Sequence, residues 1–209
     1  IYAQKINGSG VVQWTADGVA IRVISGYNNA SNPQLVSDGA GGGIVTWQDY
    51  RSGSKSDIYA QRIDSSGVVQ WPANGVELRG TGVSYDAVSP QLTPDGSGGA
   101  IVTWSDNRVS TSWGIYAQRI NSSGVVQWTP NGVELRGTGG TSSGSVPQIT
   151  TDGSAGAIVT WQDSRNSRND IFAQRVDSTG TVQWTTNGVE LRATGTGPAE
   201  SAQIAADGS

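Results

Sequence analysis

Residues 57–71 read DIYAQRIDSSGVVQW, and near-copies of this stretch return throughout the chain. The core of the stretch occurs as IYAQKI, IYAQRI, IYAQRI and IFAQRV, beginning at residues 1, 58, 115 and 171. A Gln-Trp pair follows each copy, and then come a turn and the stretch GVAIR or GVELR. Self-similarity at a period of about 57 residues indicates a tandem-repeat protein.

A second repeated block completes the unit. It reads PQLVSDGAGGGIVTWQDYR from Pro33, PQLTPDGSGGAIVTWSDNR from Pro90 and PQITTDGSAGAIVTWQDSR from Pro147. A further copy begins at Gln203. We therefore treat 1–209 as a single repeat domain with a partial unit at 1–32, units at about 33–89, 90–146 and 147–202, and the start of another at 203–209.

The alternation of apolar residues and the turn signals predict about four short strands in each unit. PQL is expected to be a strand entered through proline, IVTW an apolar strand, and IYAQRI a strand paired with VVQW across a glycine-containing turn. An Asn-Gly turn then precedes VELR. Four antiparallel strands in each tandem unit are typical of a β-propeller blade, so we predict an all-β, β-propeller-type fold with about 3.7 repeats. A β-solenoid or an open array of small sheets is the alternative, but repeats of roughly 20 to 30 residues would then be expected.

Composition excludes several classes of function. The chain has 13 basic and 17 acidic residues and no cluster of basic ones, so no nucleic-acid partner is expected. It has no apolar run of the roughly 20 residues that a membrane helix needs, so no membrane insertion is expected. It contains no Cys and no His, so neither disulfides nor a metal site nor any other cofactor is predicted.

The two ends of the sequence do not make up a whole unit. Residue 1 lies in the IYAQ strand, and residue 209 follows an Asp-Gly turn, so a strand of the IVTW kind is absent between them. A sheet that lacked this strand would have an unpaired edge. We expect either that the chain is a piece of a longer repeat protein or that a second chain completes it by self-association.

The Asp-Gly turns are the first candidate site. They resemble the Asp-box of sialidase-type propellers, although the aromatic residue lies further along the chain, and Pro94 and Thr151 differ from that pattern. The resemblance implies a structural carboxylate that caps backbone N–H groups, and a calcium loop is the alternative reading. The residues concerned are Asp38, Asp95, Asp152 and Asp207.

The Trp-x-Asp-x-Arg set after each IVTW strand is the second candidate. An indole beside a carboxylate and a guanidinium can hold a sugar, whose hydroxyl groups bond to charged groups and whose apolar face stacks on aromatic rings. The alternative is an ion pair that is repeated with the fold. The predicted ligand-binding residues are Trp47, Asp49, Arg51, Trp104, Asp106, Arg108, Trp161, Asp163 and Arg165, together with Trp113, which has no equivalent in other units.

Two further repeated sets are interpreted as contacts between units. The glutamines of the IYAQ strands (Gln4, Gln61, Gln118 and Gln174) are expected to hydrogen-bond across units, and the tryptophans of VVQW (Trp14, Trp71, Trp128 and Trp184) to pack between units.

Catalysis is not expected, because no His or Cys is present to act as a base or nucleophile. Segments 58–82 and 115–139 differ at only three positions, whereas an active site is normally a unique arrangement. Such symmetry suits several equivalent binding sites or a structural array.

The combination of SDGAGG, IVTWQD, DIYAQRI, SSGVVQW and NGV resembles tandem repeats of large secreted or surface proteins of bacteria. This resemblance covers the whole chain and implies an extracellular or cell-surface location, but it carries no functional residues to transfer.

The sequence thus predicts a non-catalytic extracellular binding module that recognises carbohydrate or a protein partner. The alternatives are a purely structural or assembly repeat of a longer protein and a sialidase-type glycoside hydrolase.

Overall fold

A computed structural model describes residues 1–23, 29–53, 55–80, 84–109, 112–137, 142–192 and 197–207. No helix occurs within these ranges, and hence none that could span a membrane. The strands are β1 (Tyr2–Ala3), β2 (Val19–Ala20), β3 (Ala30–Ser37), β4 (Gly43–Asp49), β5 (Asp57–Ile63), β6 (Val76–Arg79), β7 (Ala87–Pro94), β8 (Ala100–Asp106), β9 (Gly114–Ile120), β10 (Val133–Arg136), β11 (Gly144–Thr151), β12 (Ala157–Asp163), β13 (Asp170–Val176) and β14 (Val189–Glu190).

The strands form three four-stranded sheets, β3–β6, β7–β10 and β11–β14, and a two-stranded sheet, β1–β2. Within each sheet, strands that are consecutive in sequence pair antiparallel. We call the sheets unit 0 (β1–β2), unit 1 (β3–β6), unit 2 (β7–β10) and unit 3 (β11–β14). The predicted all-β fold of β-propeller type, with four antiparallel strands in each of units 1, 2 and 3, is confirmed.

The first strand of each unit is longer than the PQL segment that the sequence predicts. It begins three residues before the proline and carries a bulge, where the register with the second strand shifts. The residue before each proline has a positive φ, at Asn32, Ser89 and Val146. The extra residue of the bulge lets the strand continue past proline, which cannot donate a ladder hydrogen bond.

The VVQW segments pair with the preceding strand through a single bridge, as between Ile63 and Val69. A glutamine side chain of the preceding strand bonds to this segment where backbone hydrogen bonds would join a regular pair of strands. In unit 1, Trp71 N donates to Gln61 Oε1 at 2.9 Å, and Gln61 Nε2 donates to the Pro72 carbonyl at 2.9 Å. The predicted strand is therefore an extended segment tied to its neighbour by a glutamine.

The Asn-Gly turn in each unit needs its glycine for two reasons. Asn74 and Gly75 both have positive φ, of 66° and 89°. A Cβ atom at Gly75 would also lie 2.6 Å from the indole of Trp47, which is fully buried. The turn therefore closes directly over the core of its own unit.

The core is shared between neighbouring units. One cluster joins Ile44, Ile58 and Trp71 of unit 1 to Trp104 and Tyr116 of unit 2, and a second joins units 2 and 3 in the same way. Units 0 and 1 share a third cluster. A unit removed from its neighbours would expose an apolar face, as in other repeat architectures.

Candidate functional site

The Trp-x-Asp-x-Arg set lies at the end of the second strand of each unit. In unit 1, Asp49 is the last residue of β4 and accepts a hydrogen bond from Trp47 Nε1 at 2.8 Å. Arg51 follows in the loop, where its backbone N donates to Asp49 Oδ1 at 2.9 Å and its Nη2 to Asp49 Oδ2 at 2.5 Å. The predicted trio is therefore a hydrogen-bonded cluster around one carboxylate.

An arginine of the preceding unit completes the cluster, and sequence reasoning missed it. Arg22 Nε and Nη2 donate to Asp49 at 3.1 and 3.0 Å, in a bidentate pair. Arg79 donates in the same manner to Asp106, and Arg136 to Asp163. These arginines end the GVAIR and GVELR stretches, so their strict recurrence was a signal for a partner in the next unit.

The burial of the cluster's side chains determines whether a ligand can contact them. The indoles of Trp47, Trp104 and Trp161 are fully buried, and so are the carboxylates of Asp49, Asp106 and Asp163. In the remaining arginines, the guanidinium carbon lies 3.5 to 3.8 Å from the centroid of an aromatic ring of the same unit; these are Arg51, Arg108 and Arg165. The indoles and carboxylates of the predicted sugar-binding set therefore face the interior and bond within the cluster, whereas its arginines keep 20 to 25% of their side chains exposed.

The electrostatics of the cluster favour a permanently ionised carboxylate. Burial by itself would raise the pKa of Asp49, but hydrogen bonds from Arg51, Arg22 and Trp47 outweigh it and lower the pKa to about 2. The same balance of burial against arginine hydrogen bonds lowers the pKa of Asp106 and of Asp163. A carboxylate held in this way is a poor proton donor at neutral pH.

The Asp-Gly turns place their carboxylates on backbone groups. Asp38 Oδ1 accepts from the N–H groups of Ala40 and Gly42 at 2.8 and 2.9 Å, and Asp38 Oδ2 pairs with Arg62 at 2.9 Å. Asp95 and Asp152 make the same bonds in units 2 and 3. Asp207, at the corresponding position of the sequence repeat, is exposed.

Trp113, the aromatic residue without an equivalent in other units, is half-buried. Its carbonyl oxygen accepts from Arg136 Nη1 at 2.9 Å and from the N–H of Gly144 at 2.8 Å. Its backbone is thus tied into the junction between units 2 and 3.

The strand glutamines and the VVQW tryptophans have different roles. The glutamines bond within their own unit, and not across units as the sequence suggested, because the backbone of the adjacent VVQW segment lies closer. The tryptophans do cross the junctions: Trp71 Nε1 donates to the Ser122 carbonyl of the next unit at 3.0 Å.

An open cleft of about 620 Å³ lies between unit 3 and the segment that follows it. Its lining includes Asp152, Arg175, Trp184, Ala205 and Asp207. Within the described ranges, no three acidic side chains come together as a metal site would require.

Comparison with known proteins gives neither a matching family model nor a match among curated proteins. Solved structures align at low sequence identity. They include an endo-arabinase from Bacteroides thetaiotaomicron (15% identity, TM-score 0.46, 77% of this chain and 61% of that one). They also include an α-L-arabinofuranosidase from Fusarium graminearum (14%, 0.49, 77% and 49%) and an α-L-arabinanase from Penicillium chrysogenum (14%, 0.49, 86% and 55%). The chain thus spans about half to three fifths of their lengths.

These structures correct the expectation of a non-catalytic binding module. The prediction that the chain is not an enzyme rested on the missing His and Cys and on the near-identity of the copies. It is contradicted by these likenesses, because the solved structures that align with the chain are glycoside hydrolases. Near-identical copies do not by themselves exclude catalysis. A symmetric scaffold does not require a symmetric site, since a single loop or end face can carry the chemistry.

Proposed function

We propose that this chain is a structural and assembly repeat, in which the recurring polar residues serve to join one unit to the next. The observation that carries the proposal is an arginine–aspartate ion pair at each of three junctions, which join unit 0 to unit 1, unit 1 to unit 2, and unit 2 to unit 3. The nitrogen–oxygen distances are 3.0 Å for Arg22–Asp49, 3.1 Å for Arg79–Asp106 and 3.0 Å for Arg136–Asp163.

The ion pairs support a joining role because they are buried and directional. The side chains of Arg79 and Asp106 are both completely shielded from solvent, and Arg79 also pairs with Asp57 at 2.7 Å. A charge buried in this way must be paired, so two units can meet only in the register that brings the partners together. The pairs therefore favour one arrangement of successive units over others that the apolar faces alone would allow.

The proposal is tested by removing one arginine from the middle junction. Arg79→Ala removes the ion-pair partner of buried Asp57 and the cross-junction partner of Asp106, which keeps only the bonds from its own unit. We expect a loss of about 3 to 5 kcal/mol in the free energy of unfolding. Denaturant unfolding with fluorescence detection measures this change. Lys5→Ala is the control, since this exposed side chain makes one bond to a carbonyl and its loss should cost less than about 0.5 kcal/mol.

Equal stability of the Arg79→Ala variant and the original chain would contradict the proposal. So would a variant that loses stability only within unit 1, which hydrogen exchange across units 1 and 2 would reveal.

Glycoside hydrolysis is a second candidate, favoured by the cleft on unit 3. Its lining includes an indole, two carboxylates and a guanidinium, which are groups that can stack on a sugar and cleave a glycosidic bond. Of the two carboxylates, Asp207 is exposed. Burial alone would raise the pKa of Asp152, but hydrogen bonds from backbone N–H groups and Arg175 outweigh it and lower that pKa.

The candidate is tested with an arabinan, because the similar solved structures include an endo-arabinase and an α-L-arabinanase. We expect release of reducing sugar by the chain and a loss of at least about 100-fold in kcat for Asp207→Asn. Asp17→Asn, at an exposed position of unit 0, is the matched control. Failure of the chain to release sugar, or equal rates for the two variants, would remove this candidate.

A further inference from the structure

Each junction between units contains the same contact between a tryptophan and a glycine turn. The indole Nε1 atoms of Trp14, Trp71 and Trp128 donate to carbonyl oxygens of the next unit at 3.2, 3.0 and 3.1 Å. The acceptors are Ser65, Ser122 and Ser178. Two residues further along, Gly67, Gly124 and Gly180 lie so close to the same indoles that a Cβ atom would be 2.7 to 2.9 Å away.

Unit 3 presents the tryptophan side of this contact without a partner in the described part of the chain. Trp184 is 37% exposed, whereas Trp71 is 5% and Trp128 7% exposed. No described residue accepts a hydrogen bond from Trp184 Nε1. Ile158 is also partly exposed, although its equivalents Ile44 and Ile101 are fully buried. We call Ile158, Arg175 and Trp184 the tail face.

Unit 0 presents the glycine side of the contact, again without a partner. No described atom lies within 4 Å of a Cβ built on Gly10, the equivalent of Gly67. Tyr2 and Ile6 are 66% and 64% exposed. Their equivalents in unit 1, Tyr59 and Ile63, are 7% and 0% exposed, because unit 0 covers them. We call Tyr2, Ile6 and the turn at 7–10 the head face.

We propose that the tail face binds the head face of a second copy of this chain. In this contact the Trp184 indole lies on Gly10 of the partner copy and donates from Nε1 to the Gly8 carbonyl, which corresponds to the acceptors Ser65, Ser122 and Ser178. Ile158, which is partly exposed, packs against the exposed side chains of Tyr2 and Ile6. The inference rests on the assembly role proposed above and continues an interface that the chain already forms three times.

The contact is head-to-tail, so each copy keeps one free face after the first pairing. Association of this kind either closes into a ring or extends as a filament. The choice of a second copy follows from the presence of both complementary faces on the same 209 residues. Exposed apolar side chains that cluster on a surface are typical of such interaction sites.

Sedimentation velocity of the 209-residue chain over a range of concentrations tests the proposal. We expect a mass above the 21.7 kDa of one chain, rising with concentration. Trp184→Ala removes the central indole, and the apparent dissociation constant should rise at least about 30-fold. Gly10→Ala places a methyl group where the partner's indole lies, with the same expected result.

Two further samples make the test specific. Gly39→Ala is the matched control for Gly10→Ala, because Gly39 has φ 77° against 78° and has equally open space around it, but lies off both faces. It should associate like the original chain. A mixture of Trp184→Ala and Gly10→Ala chains retains one intact tail face and one intact head face, so it should form dimers and nothing larger.

Several results would overturn the proposal. One is a chain that sediments as a single copy at every concentration, which would leave Trp184 to be covered by a following unit of a longer protein. Another is a single copy whose tryptophan emission shifts on Gly10→Ala, since head and tail would then close within one chain. A third is loss of arabinan cleavage in Trp184→Ala at unchanged mass, which would make the cleft a substrate site.

The failure of this inference can be told apart from failure of the assembly role itself. If Arg79→Ala destabilises the chain but no self-association occurs, the joining role within the chain stands and only the second copy is removed. If Arg79→Ala has no effect on stability, the joining role fails whatever the sedimentation shows.

Discussion

The junction between units 1 and 2 and the two end faces contain the same residue types in different surroundings. Trp71 is buried at the junction, and its equivalent Trp184 is exposed on the tail face. Arg79 pairs with two buried carboxylates, whereas its equivalent Arg192 donates to the Gly197 carbonyl at 2.8 Å. The difference teaches that the neighbour, and not the sequence of the unit, decides whether a side chain belongs to the core.

The largest expected effect comes from the same substitution at both places. Trp71→Ala should cost about 3 to 5 kcal/mol in the free energy of unfolding, because it leaves a cavity in a shared core. Trp184→Ala should cost less than Trp71→Ala, since the Trp184 indole is 37% exposed and lacks a described acceptor. Urea denaturation at a concentration where the chain is a single copy measures both. Equal losses would break the comparison.

A smaller effect is expected for alanine at the turn glycines. Gly124→Ala and Gly10→Ala carry the same backbone cost, because φ is 80° and 78°. Within a single copy of the chain, only the methyl group at residue 124 meets an indole, at 2.7 Å. At concentrations where the chain is a single copy, this contact should add about 1 to 3 kcal/mol to the loss of stability. Thermal unfolding of the two variants measures the difference. A junction that tolerates Gly124→Ala as well as the head face tolerates Gly10→Ala would show that the close contact is dispensable.

The smallest effect is the dependence on acid that Asp49 contributes at the junction of units 0 and 1. The pKa of Asp49 is about 2 in the folded chain, below its ordinary value of 3.8, so the unfolded chain binds the proton more readily. The resulting stability is complete above about pH 5 and is lost as the pH falls through 2, with a decrease of about 1 kcal/mol between pH 5 and pH 3. Urea midpoints at these two pH values test it. The Asp49→Asn chain should show a smaller difference between them, and an unchanged difference would contradict the assignment.

The fold was predictable because its signals are local and repeated. The period of the IYAQ strands, the Asn-Gly turns and the glycine-rich hairpins each depend on a few neighbouring residues, and these recur in every unit. The bulge before Pro33 was not predictable from alternation, since one inserted residue shifts the register without changing composition. The glutamine that replaces the ladder beside VVQW was missed for a similar reason, because its partner is the backbone.

The sequence identified the residues of the candidate site, but it did not show whether they face solvent or the interior. Trp47, Asp49 and Arg51 do form one cluster, as their spacing suggested. Sequence patterns along one unit could not reveal that Arg22 reaches across to Asp49, since the two are 27 residues apart and belong to different sheets. That contact turns the cluster into a buried junction. The exposure of Trp184 was equally hidden, because its sequence surroundings match those of Trp128.

The division of each junction into a tryptophan side and a glycine side has a consequence for how such genes can lengthen. A duplicated unit brings one of each, so it inserts between two existing units and creates no new unsatisfied surface. Deleting a whole unit is equally neutral, for the same reason. Gain and loss of blades therefore need no compensating substitutions at the junctions, and curvature and ring closure become the constraints on how many blades the protein can hold.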